Sequence, residues 1–219
     1  VSITVEGANI MTRSLMIFGQ GAIRCHPFVL DELAAKDADD QDAFDEAFFG
    51  HAGLVFGNAA RAFTQAIGLG RGDVPFDNAA APYARAVNRF SAAFGLASDA
   101  AMTTLGSDLK LRELLSARLG DVLSNLYLTS MVLKNWHEGQ AVEGERALMA
   151  YSCEFLLHRA EKALDELLHN LPNRLVARVL RVITMPLGKR WHAPVDKLTQ
   201  SVARSISTDS ALRKKLISN

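Results

Sequence analysis

The chain has 219 residues, of which 49% are hydrophobic and 22% charged, a composition typical of a globular protein with a sizeable core. The 24 basic and 24 acidic residues balance, so net charge gives no reason to expect a nucleic acid as partner. Two cysteines are too few for a disulfide framework, and no stretch approaches the roughly 18 apolar residues that a membrane-spanning helix needs.

The N-terminal segment carries most of the chemical signals. Residues 3–5 predict an extended approach, Glu6-Gly7 a turn, and Asn9 the N-cap of a helix. From the residues alone Glu6 has two interpretations. It is either an acid near the positive end of the helix dipole, which the spacing by itself favours, or a catalytic carboxylate.

The same segment resembles a motif of acyl-CoA dehydrogenases. Its residues Val5-Glu6-Gly7-Ala8-Asn9-Ile10-Met11-Thr12-Arg13 are similar to Glu-Gly-Thr-Asn-Asp-Ile-Leu-Arg of that family. The continuation Phe18-Gly19-Gln20-Gly21-Ala22-Ile23-Arg24-Cys25-His26-Pro27 is similar to the bacterial long-chain (FadE-type) subgroup. The resemblance implies that Glu6 is the general base in fatty acid β-oxidation, taking the proton α to the thioester carbonyl as fatty acyl-CoA becomes trans-2-enoyl-CoA. It also implies that Gly7 lets the backbone lie close to the substrate.

The resemblance has consequences for the cofactor and the partners. It implies FAD and an electron-transfer partner in the full-length parent, whose flavin-binding β domain is expected upstream of Val1. We therefore expect this fragment alone to bind no FAD and to be inactive. Ala8 departs from the family pattern, because the family commonly has a threonine whose hydroxyl is associated with the flavin. The remaining expectations are a homo-oligomer and a cytoplasmic location, with the inner face of the membrane as an alternative.

After this segment the chain reads as a series of helices. Pro27 is expected to end the first helix, and the acidic residues 37–46 predict a solvated linker that leads into the next helix N-terminus. Residues 41–69 predict a long helix that ends at a glycine C-cap. A phosphate loop is disfavoured at Gly68, Gly70 and Gly72, because no strand precedes them and no Lys-Ser/Thr follows.

Three further segments have the apolar spacing of long helices, at residues 79–105, 108–138 and 145–167. In the last two, apolar residues recur at steps of three and four, which predicts that these helices pack in a bundle. The short connection between them predicts that they are antiparallel neighbours. The fold class is therefore all-α, an up-and-down helical bundle with additional short C-terminal helices. We divide the chain into the end of a catalytic helical domain at 1–30, an additional four-helix bundle at 31–170, and a C-terminal part at 171–219.

Metal ligands are not recognisable in the sequence. Glu154, His158 and Glu161 share a helical face, but a di-iron bundle needs Glu-x-x-His on two helices. Ion pairs with Arg159 or Lys162 and contact with solvent are the favoured interpretation, so no metal is expected. The sequence also assigns no partner to five histidines, His26, His51, His137, His169 and His192.

The interval between Glu166 and Asp196 contains no acidic residue. Five cations lie in it, namely Arg174, Arg178, Arg181, Lys189 and Arg190. The apolar residues between them predict a basic amphipathic helix, which is typical of an anionic membrane surface. A helix docked on the bundle with its arginines in water is the alternative, and the sequence alone favours it. Two interpretations of the whole chain follow: part of an acyl-CoA dehydrogenase, or a stand-alone helical module for interaction or membrane association.

Overall fold

The computed structural model describes residues 7–8, 11–12, 21–69, 73–139 and 142–218. Within these ranges the regular structure is helical and has no strand, which confirms the predicted all-α class. None of the helices in these ranges is long and apolar enough to cross a membrane. The helices are α1 Gly21–Cys25, α2 Val29–Asp37, α3 Gln41–Ala66, α4 Ala81–Leu105, α5 Glu113–Glu138, α6 Glu145–Asn170, α7 Arg174–Thr184, α8 Asp196–Ser207 and α9 Ala211–Ser218, with a 3₁₀ helix at Gly106–Leu111.

The antiparallel pair α5 and α6 is the most extensive helix contact. Steps of three and four residues return to the same side of a helix with 3.6 residues per turn, so a regular apolar pattern becomes a continuous buried stripe. Of the positions that carry this pattern, Trp136 of α5 is half-buried and the others are buried. They are Leu115, Leu119, Val122, Leu126, Thr129 and Leu133 in α5, and Met149, Cys153, Leu156, Ala160, Ala163 and Leu167 in α6.

Helix α4 lies at the centre of the core and packs on α3, α5 and α6. Its start is fixed by Asp77, whose Oδ1 accepts hydrogen bonds from the backbone N–H groups of Ala79 at 3.1 Å and Ala80 at 2.9 Å. Such a side-chain acceptor satisfies donors that have no partner inside the helix. Helix α3 presents small residues to α4, with Ala62 and Ala66 fully buried, so the two helices approach closely.

The short helix α7 completes the bundle. It packs on α3, α4 and α6, and it buries Ala177, Leu180 and Thr184 against them. Asn173 caps its N-terminus by accepting from the N–H groups of Leu175 and Val176 at 3.1 and 3.2 Å. The segment predicted as a basic amphipathic helix is therefore docked on the bundle.

The C-terminal segment forms two short helices, α8 and α9, as predicted for the tail. The chain turns between them at residues 208–210. Helix α8 packs on α6 and buries Val202. Helix α9 is held by Leu212, which is buried, and by Lys215, whose Nζ lies 2.6 Å from Glu145 Oε1 at the start of α6.

Candidate functional site

The predicted catalytic base, Glu6, lies outside the described residues. Its neighbour Gly7 is described and is half-buried, with helical backbone. Ala8 is also helical and its side chain is exposed. The roles assigned to Glu6 and Gly7 therefore stay predictions.

Helices α2, α3 and α4 and the turn after α1 meet around the buried carboxylate of Asp99 in α4. His26, which follows α1, places Nε2 3.1 Å from Asp99 Oδ1. His51 of α3 places Nε2 4.0 Å from the same oxygen. The other ring nitrogen of His51, Nδ1, lies 2.8 Å from Oε1 of Glu32 in α2. We call these four residues the His–Asp cluster.

The hydrogen bonds of His26 indicate which of its ring nitrogens carries the hydrogen. Its Nδ1 accepts from the backbone N–H groups of Phe28 and Val29, both at 3.2 Å, at the N-terminus of α2. An unprotonated Nδ1 means that the neutral ring carries its hydrogen on Nε2, which therefore donates to Asp99. His26 is thus both the cap of α2 and a hydrogen-bond donor to α4.

The same bonds decide whether the His–Asp cluster fits a metal ion. One ligand atom each from His26, His51 and Asp99 lies within 4.8 Å of the others, and two histidines with a carboxylate are a familiar ligand set. A metal-bound histidine, however, normally donates from its other ring nitrogen. In His26 that nitrogen faces two N–H donors, so the geometry favours a shared proton over a metal ion.

Burial controls the charge of Asp99. Only 5% of the residue is exposed, and this desolvation raises the pKa of its carboxyl above the usual range, while His26 and His51 act in the opposite direction and Glu32 adds repulsion. Its second oxygen, Oδ2, has no hydrogen-bond partner among the described residues. The cluster therefore holds the turn after α1, and helices α2 and α3, to α4 through a carboxylate that is costly to ionise.

A second buried carboxylate, Glu161 in α6, joins the segment after α7 to α4. Its Oε2 accepts from the backbone N–H groups of Arg190 at 2.9 Å and Trp191 at 2.7 Å. Its Oε1 lies 3.4 Å from Nη2 of Arg89 in α4. The expected pairing of Glu161 with Arg159 or Lys162 and solvent was wrong, because this position faces the core and is 1% exposed.

The neighbours predicted to share a face with Glu161 have separate roles. Glu154 accepts from the Tyr83 hydroxyl at 3.3 Å. The Nδ1 of His158 lies 3.1 Å from the backbone carbonyl of Trp191 and, since a carbonyl only accepts, carries the hydrogen. The structure therefore does not bring Glu154, His158 and Glu161 together as ligands.

A cavity of about 490 Å³ lies near Glu161, between the C-terminal end of α3 and the start of α4. Arg89 and Arg190 both line it. Arg190 Nη1 donates to the Ala66 carbonyl at 3.0 Å, while Arg89 donates to Glu161. These contacts join α3, α4 and α6 to the segment after α7, so their role is structural.

The five predicted membrane-surface cations differ in their surroundings. Arg181 and Lys189 pair with Asp165 at 2.7 and 3.3 Å. Burial pushes the pKa of Asp165 up, but these two cations outweigh it and the pKa is lowered. Arg174 donates to the carbonyl of His169 at the end of α6. Arg178 lies on the exposed side of α7, beside a group of exposed aliphatic residues, Leu175, Val179 and Val182.

Comparison with known protein families gives a match over most of the chain. A family model described as "Acyl-CoA dehydrogenase, C-terminal, bacterial type" matches residues 23–219. No solved structure matches the chain. The matched region begins 17 residues after Glu6, so it includes His26 and the whole bundle.

Proposed function

Because the chain belongs to the C-terminal domain family of bacterial-type acyl-CoA dehydrogenases, we propose that it forms the C-terminal part of an enzyme that oxidises fatty acyl-CoA to trans-2-enoyl-CoA. The observation that carries this proposal is the order of two independent signals along the chain. The segment that resembles the catalytic motif occupies residues 5–13, and the family match follows at residues 23–219. Two signals of one enzyme class in the expected order support that class over an incidental N-terminal similarity.

In the proposed reaction, the chain contributes the base. The carboxylate of Glu6 takes the proton from the α carbon of the acyl thioester, and the electron pair of that C–H bond becomes the new double bond. FAD held by the rest of the parent enzyme would supply the hydride acceptor for the β carbon. A positioned general base contributes about 10²–10⁴-fold to such a step.

The described residues do not by themselves fit FAD. Ala8 offers a methyl group where the family's threonine would offer a hydroxyl, and its side chain is exposed. We therefore assign flavin binding, and contact with the electron-transfer partner, to the rest of the parent enzyme. The contribution of this chain to catalysis is then the base and the scaffold that supports its segment.

The deciding experiment replaces Glu6 in the full-length enzyme. Glu6→Gln keeps the size of the side chain but removes the base, so acyl-CoA oxidation should fall by about 10²–10⁴-fold while the flavin absorbance stays unchanged. Asp31→Asn, which changes an exposed acid in α2, is the matched control and should retain full turnover. If Glu6→Gln turned over normally, the assigned base would be wrong.

Membrane association is a second proposal, and one observation favours it. On α7 the exposed aliphatic residues Leu175, Val179 and Val182 lie beside Arg178, the combination that binds anionic lipid surfaces. Replacing both Leu175 and Arg178 by Glu should abolish salt-dependent binding to vesicles that contain anionic lipid. The exposed Arg204 of α8 gives a control, Arg204→Glu, with the same change of charge as the arginine substitution. Equal binding by all variants would remove the membrane from the proposal.

A further inference from the structure

The cavity between the C-terminal end of α3 and the start of α4 is lined by arginines, and none of the described residues that line it is acidic. Its volume of about 490 Å³ is in the range of small-molecule sites. Arg85 and Arg89 both line it and lie four positions apart on α4, so they share one face of that helix. Arg190 lines it from the segment after α7. Three arginines therefore border one cavity.

The charges around the cavity do not balance. Among the described residues, Glu161 is the acid that forms an ion pair with these arginines, through Arg89. Three arginines against one glutamate leave an excess of two positive charges. The partial negative charge at the C-terminal end of α3 is offset by the partial positive charge at the start of α4. A cavity with such an excess attracts anions.

Arg89 is the buried member of the three. The residue is 6% exposed, and its Nη2 lies 3.4 Å from Oε1 of Glu161, which is long for a hydrogen bond. A guanidinium group has five N–H donors, and four of those of Arg89 have no acceptor among the described residues. Burial and repulsion from Arg190 lower the pKa of Arg89, while Glu161 acts in the opposite direction. This buried arginine is therefore short of both acceptors and negative charge.

The other two arginines also have unused donors. Arg190 donates from Nη1 to the Ala66 carbonyl at 3.0 Å, and its remaining side-chain donors have no acceptor among the described residues. The exposed Arg85 forms no hydrogen bond or ion pair with a described residue. Residues 70–72 lie outside the described residues, and their sequence contains no acid that could neutralise these charges.

We propose that this cavity binds the phosphate group of a small molecule, with Arg89 as the buried donor and Arg85 and Arg190 as the exposed ones. Phosphate oxygens accept several hydrogen bonds and match the fork of N–H groups that arginine presents. A phosphate with close to two negative charges also matches the excess of two positive charges, whereas a carboxylate neutralises only one. The donors are side chains, so this site differs from the glycine loop that the sequence disfavours.

Two sources of phosphate fit this chemistry, namely the inorganic ion and a phosphate monoester. Calorimetric titration of the 219-residue chain with inorganic phosphate and with AMP at pH 8 distinguishes them. We expect a dissociation constant of roughly 0.1–5 mM for the ligand that binds more tightly. Tighter binding of AMP assigns an organic ligand, which Leu69, Pro82 and Trp191 would contact from the cavity wall. Tighter binding of inorganic phosphate assigns the free ion, and either order supports a phosphate site.

The charge of the cavity can be tested at Leu69. This residue lines the cavity and is 61% exposed, so the core does not depend on it. Leu69→Glu places a carboxylate beside the arginines and should weaken phosphate binding about tenfold or more. Leu69→Gln is the matched control, because it has the same size without the charge, and should change the affinity by less than about threefold.

The arginines can be tested at the member that has no partner to lose. Arg85→Gln removes one donor group and one positive charge, and should weaken phosphate binding about tenfold. Arg204→Gln makes the same change on the exposed side of α8 and should leave the affinity unchanged. Urea unfolding of both variants checks that the chain stays folded. The titrations measure binding and not turnover, so their outcome is independent of the role assigned to Glu6.

Three results would overturn the proposal. The first is the absence of binding of either ligand at concentrations up to about 20 mM. The second is acetate, a planar anion with one charge, binding as tightly as inorganic phosphate. The third is an equal loss of affinity in the two members of a pair, Leu69→Glu with Leu69→Gln or Arg85→Gln with Arg204→Gln, because binding would then lie outside this cavity.

Discussion

His26 lies 3.1 Å from Asp99 although 73 residues separate them in the sequence. The contact joins the turn that follows α1 to the central helix of the bundle. Because the same histidine caps α2, one side chain fixes both the entry of the chain and the first helix hairpin.

The charge of Asp99 should make the stability of the chain depend on pH. Its pKa is raised in the folded state, so folded protein binds the proton more tightly than unfolded protein does. The resulting stabilisation is complete below the ordinary aspartate pKa of about 3.9 and is lost as the pH rises through the raised value. The free energy of unfolding of the native chain, minus that of Asp99→Asn, should therefore decrease as the pH rises above about 4.

The comparison with Asp99→Asn is needed because other groups titrate near this site. His26, His51 and Glu32 all face Asp99, and they are present in both chains. Urea unfolding at several pH values gives the two free energies. A difference that stayed flat or grew with rising pH would contradict the raised pKa.

The long helices could be predicted from sequence, but the buried polar contacts could not. The contact between α5 and α6 could be predicted from the helical spacing of apolar residues such as Leu115, Leu119 and Val122, and each of these is buried. His26 and Asp99 are 73 positions apart. No local sequence pattern around either residue indicates that they are in contact. A histidine just before a short helix is consistent with capping, which is the one local signal that it gives.

Glu161 shows a second reason for the limits of sequence. Its partners are an arginine on another helix and two backbone N–H groups of an irregular segment, and backbone donors carry no side-chain signature. The short helix α7 was predicted as a helix, yet its position between α3 and α6 depends on packing across the whole bundle.

Two glycines of α3 should respond oppositely to the same substitution. At Gly57 an added Cβ meets no heavy atom within 4 Å, whereas at Gly50 it would lie 2.5 Å from Cε1 of Phe28. Gly57→Ala should stabilise the chain by roughly 0.5–1 kcal/mol through helix propensity. Gly50→Ala displaces the ring of Phe28 from α3, and should be at least about 1 kcal/mol less stable than Gly57→Ala. Urea unfolding measures both, and an equal gain would show that Phe28 moves at no cost.

The two cysteines should differ in reactivity. Cys25 is exposed and Cys153 is buried, and burial, with repulsion from Glu154, raises the pKa of the Cys153 thiol to about 12. Because the thiolate is the reactive form, iodoacetamide at pH 8 should modify one cysteine rapidly in the folded chain and both in urea. Mass spectrometry of the digested protein identifies the modified residue. Rapid modification of Cys153 in the folded chain would mean that α6 opens locally.

Two glutamates of α6 should differ strongly in what they contribute to stability. Glu161 is 1% exposed and accepts from two backbone N–H groups besides Arg89. The side chain of Glu166 is 46% exposed and forms long ion pairs with Arg118 and Lys162. Glu161→Ala leaves a buried arginine and two backbone donors without their acceptor, and should cost about 3–5 kcal/mol of unfolding free energy. Glu166→Ala is the control on the same helix and should cost less than about 1 kcal/mol.

Adding Arg89→Met to Glu161→Ala should recover part of the loss, because the unpaired charge is removed. Chemical unfolding of the native chain, Glu161→Ala, Arg89→Met and the double variant yields the coupling energy, and strictly additive losses would mean that Arg89 and Glu161 act independently.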